Sequence, residues 1–480
     1  MSKYEKIEEI ILNMVRQQLL KPGDTVPPIR EMASMYGMSV TPVIEAYHNL
    51  ERRGILLSKP KSKFTVSPDA FRGNQSPSGP LEPRSALSSF SDIYHAVNDQ
   101  DVEFPYGWPS YFSQDRANDT MLRRFSASLR THSTPEELPI EAENPALKAE
   151  LCKWMFKSNC MVEQQDILLL NSSTCSALMV ILQCCLPSGG SVGIAAPADI
   201  NHHMALRMKG LTPVSIRTIS GAGLDLDNLE LIIREHPEMH CIICAANVAV
   251  PTGAVMPEAN KKRLAQICRE HDILIIEDDR FGALTHDAYR PYPLMRYAPE
   301  RTIYLGCVNF ADAEGMQIHW ICSTNFQQEL RYYRNLMMLL PSQSMQSAYA
   351  ETHGSNLARN RRTQVMQRDK ENAAVLRNAV YRYFPADTYV QNPAGGHYLW
   401  IKLPAGCDSI ELLKRSYRQS VTFSPGAMYS VDNEFSDYIC MNTSVVDFIS
   451  NWEEGVRRLG TLLHEMTESS NETENSKMNI

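Results

Sequence analysis

The sequence lacks any long hydrophobic run. Of its 480 residues, 43% are hydrophobic and 21% are charged, and no stretch approaches the roughly 18 consecutive apolar residues that a membrane span requires. The opening segment, MSKYEKIEEII, has neither an uninterrupted apolar stretch nor a small-residue cleavage site, so it does not resemble a secretory signal. These absences argue against the membrane and secreted classes, and we expect a cytoplasmic protein without a membrane partner.

The sequence also lacks the cysteine spacing of a metal centre. It contains twelve cysteines, and most of them lie in apolar runs such as VILQCCLP and MHCIICAANV. Cys241 and Cys244 have C-x-x-C spacing, but they fall in a predicted buried strand, with no second Cys pair or His pair at zinc spacing. We therefore expect reduced thiols and no metal site.

Positive charge is concentrated at the N-terminus. Residues 1–66 contain ten Lys or Arg and seven Asp or Glu, whereas the remainder contains 37 and 48. The first segment therefore has a net charge of +3 and the rest of the chain a net charge of −11. This asymmetry indicates that the N-terminal module contacts a polyanion and that the acidic body does not.

Residues 1–66 have the pattern of three short helices followed by a basic hairpin. The third helix is predicted to begin after Ser39 as N-cap and to end at Gly54. Its inward-facing residues are predicted to be Val43, Ala46, Tyr47 and Leu50. The segments ILLSK and KFTV then form two strands around the tip KPKSK. This order predicts a winged helix-turn-helix, with its third helix in the major groove of DNA and its wing lysines on phosphates.

The same segment resembles the GntR-type winged helix. That family reads approximately L-K-P-G-D-x-L-P-S-x-R-E-L-A…G-V-S-x-x-T-V…A-Y-x-x-L-E-x-x-G, and this chain has LLKPGDTVPPIREMA…GMSVTPVIEAYHNLERRG. The chain departs from the pattern at Val40, where many relatives have arginine, and at two wing positions where they have glycine. The resemblance implies these DNA-contacting residues: Arg30, Ser39, Thr41, Pro42, Lys59, Lys61 and Lys63.

Residues 100–465 alternate short apolar segments, such as DILLLNSS, SVGIAAP and ILIIEDD, with amphipathic ones. This alternation predicts an α/β domain with a mostly parallel sheet covered on both faces by helices. In such sheets, ligands bind beyond the carboxyl ends of the strands. The preceding residues 67–99 are rich in Ser, Pro and Gly and are predicted to be a flexible linker. The polar residues 466–480 are predicted to be a disordered tail.

The order of these segments resembles the fold-type I, aspartate-aminotransferase-like domain, which has a smaller C-terminal α/β subdomain. Together with the winged helix and the linker, the chain is similar to the MocR group of bacterial regulators over nearly its whole length. In that group, the second domain is an aminotransferase relative that senses pyridoxal 5'-phosphate (PLP) and amino-compound effectors. The resemblance implies a transcription regulator that acts as a homodimer on double-stranded operator DNA.

The lysine that characterises this family is missing. After Y-x-G, the family has approximately S-F-S-K-x-x-x-P-G-x-R-x-G, in which the lysine forms the Schiff base with PLP and the arginine contacts the phosphate. Here Phe310 and Gln317 take those places, and no lysine occurs between Lys262 and Lys370. A phenyl ring cannot form an imine. We therefore expect no covalent PLP and no transamination, and non-covalent PLP or another small ligand stays open.

Four further positions of the family's cofactor site differ in this chain. The family's asparagine on the ring hydroxyl is Val250 here, and its tyrosine of D-x-Y is Arg280. The aromatic that stacks on the ring is replaced by Asp199. The arginine that binds a substrate carboxylate is replaced by Cys440. Because these positions change together, the resemblance implies a domain that has lost its transaminase chemistry.

Some of that site is retained. Asp278 keeps the acid that would face the pyridine nitrogen, and the run Ser172, Ser173 and Thr174 keeps a polar helix N-terminus that would hold a phosphate. Both features have structural alternatives, namely an ion pair of Asp278 with Arg280 and simple N-capping by the hydroxyls. A pocket for a ligand other than PLP would be lined by Asp199, Arg280, His319 and Cys440.

Overall fold

The computed structural model describes residues 3–16, 19–59, 63–67, 89–99, 101–107, 119–131, 143–186, 189–287, 289–308 and 317–478. The chain divides into two units, residues 1–84 and 85–480. Lys61 and Phe310, on which two predictions rest, lie outside the described residues. None of the helices in the described ranges is both long and apolar enough to cross a bilayer.

The N-terminal unit is a winged helix-turn-helix, as predicted. Its elements are α1 (Lys3–Arg16), α2 (Ile29–Met35), α3 (Val40–Arg52), β1 (Leu56–Lys59) and β2 (Lys63–Val66). The two strands form an antiparallel hairpin in which Leu56 lies opposite Val66. The four residues predicted to face inward from α3 are all buried. Tyr47, one of them, donates a hydrogen bond of 2.7 Å to the carbonyl of Pro27, which satisfies its hydroxyl and ties α3 to the start of α2.

The second unit contains the remaining elements. In chain order they are α4 (Phe90–Val97), β3 (Phe104–Tyr106), α5 (Asp119–Thr131), α6 (Pro145–Lys157), β4 (Ile167–Leu170), α7 (Thr174–Cys185), β5 (Ser191–Ala196), α8 (Ile200–Lys209), β6 (Thr212–Ile219), β7 (Gly223–Leu224), α9 (Leu226–Glu235), β8 (Met239–Cys244), α10 (Glu258–Glu270), β9 (Leu274–Asp278), β10 (Thr302–Val308), β11 (Ile318–Cys322), α11 (Gln327–Leu336), α12 (Gln343–Thr352), α13 (Asn356–Tyr383), β12 (Tyr389–Val390), β13 (Tyr398–Lys402), α14 (Ser409–Arg418), β14 (Val421–Pro425), β15 (Tyr438–Asn442), α15 (Val445–Phe448) and α16 (Trp452–Met478).

The main sheet has eight strands in the order β4-β11-β10-β9-β8-β5-β6-β7. Strands β6, β5, β8, β9 and β10 are parallel to their neighbours in this series, whereas β7 and β11 run antiparallel to theirs. The sheet is therefore mostly parallel, as predicted. Successive residues of a strand point to opposite faces. On β9, Ile276 packs in a core with Leu178 and Leu330 of α7 and α11, whereas Ile275 packs in a second core with Leu264 of α10.

A smaller sheet follows, in the order β12-β13-β15-β14-β3. Its apolar core includes Leu399, Phe423 and Met441 and also residues of α13 and α16. This sheet confirms the predicted C-terminal subdomain. Strand β3 of this sheet was not predicted. It precedes the main sheet in the sequence, yet it pairs in parallel with β14, which follows the main sheet.

Two predicted boundaries differ from the structure. Helix α4 lies within the segment predicted to be a linker, where Ser89 and Asp92 form a capping box and Val97 is buried in the core of the smaller sheet. Helix α16 continues to Met478, whereas a disordered tail is predicted from residue 466. Met466 is itself buried, and the residues after it contain no glycine or proline that would end the helix.

All twelve cysteines lie within the described residues and are free thiols. Cys241 and Cys244 are buried on β8, as expected for an apolar strand. Burial raises the pKa of both thiols, so they stay protonated at neutral pH. Among the described residues, no group of three or more His, Cys, Asp or Glu side chains is arranged to hold a metal ion.

Candidate functional site

The candidate ligand site lies where several strands of the main sheet end. Asp278 is the last residue of β9, Asp199 is the N-cap of α8 shortly after β5, and Thr174 is the first residue of α7 after β4. Because β4, β5 and β9 run in the same direction, their carboxyl ends meet at one edge of the sheet. The fold thus brings together residues that are far apart in the sequence.

Arg280 lies at the centre of this site and is buried. Its Nε donates to Oδ1 of Asp278 at 2.7 Å, and its Nη2 donates to Oδ2 of Asp278 at 2.6 Å. The same Nη2 donates to Oδ2 of Asp199 at 2.8 Å, and Nη1 donates to Oγ1 of Thr174 at 2.6 Å. The predicted ion pair between Asp278 and Arg280 is therefore confirmed. It is bidentate, and the same guanidinium also pairs with a second acid, Asp199.

The charges of this cluster stabilise one another. Burial by itself would raise the pKa of Asp278, but the Arg280 guanidinium and the hydrogen bond from His202 hold that pKa well below its usual range. Burial opposes the charge of Arg280, and Asp278 and Asp199 more than offset it, so the pKa of Arg280 is raised. Asp278 is therefore ionised and can only accept hydrogen bonds. It follows that His202, whose Nε2 lies 2.9 Å from Oδ2 of Asp278, is the donor in that contact.

His319 also contacts Thr174, the residue that accepts a hydrogen bond from Arg280. Its Nε2 is 3.3 Å from Oγ1 of Thr174. Burial, reinforced by the charge of Arg280, lowers the pKa of His319 to about 3. The ring is therefore neutral at physiological pH, and Thr174 can accept from Arg280 while it donates to His319. Among the described residues, no partner is found for Nδ1 of His319.

The three hydroxyls predicted to form a phosphate site have separate roles. Ser173 is the N-cap of α7, and its Oγ accepts from the backbone N–H of Ser176 at 3.1 Å. Thr174 is bound to Arg280, as described above. Ser172 keeps a buried Oγ for which the described residues provide no partner. The capping interpretation is thus confirmed for Ser173, and the run does not form a common cradle of free hydroxyls.

Cys440 lies on β15, directly opposite Trp400 of β13, and is buried. Burial raises the pKa of its thiol to about 12, so the group is uncharged at neutral pH. A neutral thiol cannot bind a substrate carboxylate as the family's arginine does. This side of the site therefore lacks the charge that an amino-acid substrate would require.

The residues present do not fit PLP. A pyridine nitrogen would need the carboxylate of Asp278, yet both of its oxygens accept hydrogen bonds from Arg280 and one of them also from His202. The position of the stacking aromatic holds Asp199, which is engaged by the same arginine. A cofactor at this place would have to break the buried ion pair between Arg280 and Asp278, which is costly in a buried site.

The candidate DNA interface lies on the N-terminal unit. Arg30, at the start of α2, and Ser39 and Thr41, at the start of α3, are exposed, and Pro42 is half-buried in the first turn of α3. Ser39 is the N-cap of α3, although its side chain makes no cap hydrogen bond within the described residues. In the wing, Lys59 and Lys63 are paired in the register of the hairpin, and Lys63 is exposed.

Some residues of both candidate sites were not predicted from the sequence. On α3, Val40 and Ile44 are each 39% exposed, and with exposed His48 they continue the face that begins at Thr41. The signal was their spacing of four residues, which places side chains on one side of a helix. Exposed apolar side chains on a recognition helix suit the methyl group of thymine. In the second unit, His202 was also missed because its contact with Asp278 spans 76 positions.

Comparison with known proteins gives the same two-part division. Residues 138–434 match the family model "Aminotransferase class I and II", and residues 3–66 match "Bacterial regulatory proteins, gntR family". The HTH-type transcriptional regulator YdcR of Escherichia coli (strain K12) is 25% identical over 480 residues, which cover 97% of this chain and 100% of that protein. The HTH-type pyridoxine biosynthesis transcriptional regulator PdxR of Corynebacterium glutamicum is 23% identical and covers 63% of this chain and 61% of its own length.

Among solved structures, the alpha-aminoadipate aminotransferase LysN of Thermus thermophilus superposes with a TM-score of 0.67. It is 22% identical in sequence and covers 80% of this chain and 96% of its own. At that identity, the similarity establishes the fold alone. Because the family model matches residues 138–434, more than half of the chain, the chain belongs to the class I and II aminotransferase family. It joins this domain to a GntR-type winged helix in the MocR-type architecture.

Proposed function

We propose that this protein is a DNA-binding transcription regulator whose aminotransferase-like unit neither catalyses transamination nor binds PLP covalently. The regulatory role is supported by the GntR-type segment and by the similarity to HTH-type transcriptional regulators such as YdcR. The inert second unit is supported by Phe310, which stands where the family resemblance expects the reactive lysine. A regulator of this kind would work in the bacterial cytoplasm.

The observation that carries the second part is the buried ion pair between Arg280 and Asp278. An enzyme that uses the acid to tune a cofactor must leave that acid accessible to the cofactor. Here the guanidinium lies against it, and a second carboxylate, Asp199, supports the guanidinium from the other side. The arginine thus provides the positive charge that a bound pyridinium would provide, and it is a permanent part of the chain.

The proposal is tested on the purified full chain in two experiments. The chain is first incubated with PLP and treated with borohydride, and its visible absorbance and intact mass are recorded beside an active fold-type I aminotransferase. We expect a colourless protein with an unchanged mass, and a covalent adduct on any residue would refute the inert second unit. Footprinting on DNA upstream of the protein's own gene then tests the regulatory role. Protection of a discrete site is expected, and equal affinity for all sequences would contradict that role.

The likeness to PdxR favours a second candidate function, in which this unit senses PLP without a covalent bond. This alternative predicts saturable binding of PLP in equilibrium dialysis, with no adduct after borohydride treatment. If that binding uses the Arg280 site, replacing Arg280 should change it. Because the residues of the Arg280 site do not fit PLP, we expect no saturable binding of PLP to the wild type or to the Arg280 variant.

We further propose that the protein is a homodimer. The family resemblance implies a dimer, and α11 exposes large apolar side chains next to a surface groove. Tyr332 is 61% exposed, Leu336 is 65% exposed, and Met338, just after the helix, is 89% exposed. A patch of this kind suits a second copy of the chain. A two-fold dimer would present two winged helices to a pair of half-sites in the operator.

A further inference from the structure

A separate cavity of about 210 Å³ lies between the main sheet and the smaller sheet of the second unit. On one side, it is lined by the ends of β5, β6 and β8, including Ala195, Thr218 and Cys244. On the other side, it is lined by residues of the smaller sheet and of the loop before β15. None of the residues of the Arg280 cluster lines it. The cavity is therefore distinct from the family's cofactor position.

One wall of the cavity is aromatic and held rigidly. The rings of Trp400 and Tyr438 stack with their centroids 5.0 Å apart and their planes 18° apart. Phe435 packs edge-on against both rings, at 5.7 Å from Trp400 and 5.5 Å from Tyr438. Rings that are already packed against one another lose little conformational freedom when a ligand binds. This wall is therefore preorganised to receive a flat ring.

The chemistry of the lining excludes a charged ligand. Among the described residues that line the cavity, there is no Asp, Glu, Lys, Arg or His. An ion that entered would lose hydration and find no countercharge among these residues, which is unfavourable. Burial raises the pKa of Cys244 well above its usual value, so this thiol is also neutral. The phosphate of PLP and the zwitterion of a free amino acid are both disfavoured here.

The polar groups of the cavity suit a single hydrogen-bonding edge. The hydroxyl of Thr218 donates to the carbonyl of Ala196 at 2.9 Å, and that of Thr252 donates to the carbonyl of Ala249 at 3.3 Å. The hydroxyl oxygen of Thr218 can therefore still accept a hydrogen bond, whereas that of Thr252 already accepts one from the backbone N–H of Ala254 at 3.3 Å. Gln391, which also lines the cavity, brings an amide with both a donor and an acceptor. These groups can orient a ring that carries one N–H or O–H.

We propose that this cavity binds a small, uncharged aromatic molecule with one hydrogen-bonding group. Its size supports this class, because an apolar cavity of about 150 Å³ holds a benzene ring, and 210 Å³ leaves room for a bicyclic one. Since the two walls belong to different sheets, the bound molecule would hold those sheets together. It would therefore stabilise the folded unit by an amount that rises with the ligand concentration relative to its Kd.

Indole, a neutral bicyclic ring with one N–H, serves as the probe, and L-tryptophan provides the same ring with two charges. Binding to the full chain is measured by calorimetry and by thermal unfolding. The variant Ala254→Leu fills the cavity, and Ala222→Leu is the matched control, because both alanines are half-buried but only Ala254 lines the cavity. A third variant, Gln391→Leu, keeps the side-chain volume and removes the amide from the polar edge.

We expect saturable binding of indole and a higher unfolding temperature for the wild type and for Ala222→Leu. We also expect no binding to Ala254→Leu, about tenfold weaker binding to Gln391→Leu, and no binding of L-tryptophan. Absence of indole binding to the wild type would overturn the proposal. Equal binding of L-tryptophan, or unchanged indole binding in both Ala254→Leu and Gln391→Leu, would also overturn it. If Ala254→Leu does not fold, Gln391→Leu alone decides the question. No DNA or PLP is present, so this result is independent of the proposed regulatory function.

Discussion

Asp199 and Arg280 are 81 positions apart in the sequence, yet they form a buried ion pair at 2.8 Å. By the family resemblance, the first replaces a stacking aromatic and the second replaces a tyrosine. Asp199 alone would place a second buried carboxylate near Asp278 without a partner, whereas Arg280 pairs with both acids. Under that resemblance, the two replacements depend on each other, because Asp199 requires the guanidinium of Arg280.

Replacing Arg280 should destabilise the protein strongly. In Arg280→Met, two buried carboxylates, Asp199 and Asp278, lose their main partner, and we expect a loss of about 3–5 kcal/mol in the free energy of unfolding. Urea denaturation followed by circular dichroism measures it. The matched control is Arg217→Met, because Arg217 also pairs with an aspartate but is 74% exposed. A loss below about 1 kcal/mol is expected there, and similar losses in the two variants would contradict the role given to the buried network.

Much of the fold can be predicted from the sequence where the signal is local. The inward face of α3 follows from the helical spacing of Val43, Tyr47 and Leu50, and the ion pair of Asp278 with Arg280 follows from their separation of two residues. Contacts between distant segments leave no such signal. The partners Asp199 and His202 reach the site only because parallel strands end at one edge of the sheet.

Composition misleads in one segment, where a few residues decide the structure. The segment predicted to be a linker is rich in Ser, Pro and Gly, but its last part carries a capping box at Ser89 and apolar residues that pack on the smaller sheet. The aromatic cavity is beyond prediction for another reason. Trp400, Phe435 and Cys244 belong to three separate segments, and nothing in their spacing indicates that they share a surface.

The wing and the recognition helix should contribute differently to DNA binding. Replacing Lys59, Lys61 and Lys63 by Gln should weaken binding to all sequences alike and reduce the slope of log K against log salt by about 2 to 3. Thr41→Val should instead weaken binding to the operator alone, by about 1–3 kcal/mol. Fluorescence anisotropy with operator and random duplexes separates the two effects. Lys153→Gln, an exposed change in the second unit, serves as the control. An operator-only effect of the wing variant would refute its assignment to phosphates.

Lowering the pH should reveal the neutral state of His319. Its pKa is about 3 in the folded protein and about 6.5 in an unfolded chain. The unfolded state therefore gains a proton between these values that the folded state does not, and stability falls as the pH drops below about 6.5. Between pH 7 and pH 5 this single group costs the wild type about 2 kcal/mol relative to His319→Asn. Denaturation curves for both proteins across this range give the difference, and a constant difference would show that the pKa of His319 is the same in the folded and unfolded states.

The exposed patch on α11 should be needed for dimer formation. Leu336→Asp places a charge in that patch, and we expect the protein to become a monomer in sedimentation velocity at micromolar concentration. Leu231→Asp is the control, since Leu231 is also a largely exposed leucine, at 54%, but lies on α9. It should leave the sedimentation coefficient unchanged. A dimer that persists in Leu336→Asp would place the interface elsewhere.

Restoring the family lysine alone should not restore covalent PLP binding. In Phe310→Lys the amine is present, but Arg280 still occupies both oxygens of Asp278. We therefore expect this variant to remain colourless with PLP. The triple variant combines Phe310→Lys, Arg280→Tyr and Asp199→Tyr. It frees Asp278, removes the charges of Arg280 and Asp199 together and returns three family residues. We expect it to gain visible absorbance and a borohydride-stable mass increase. Phe310→Leu with the same two tyrosines controls for non-specific modification of surface lysines. If Phe310→Lys alone becomes coloured, the ion pair is no barrier to the cofactor, and the missing lysine by itself accounts for the lost chemistry.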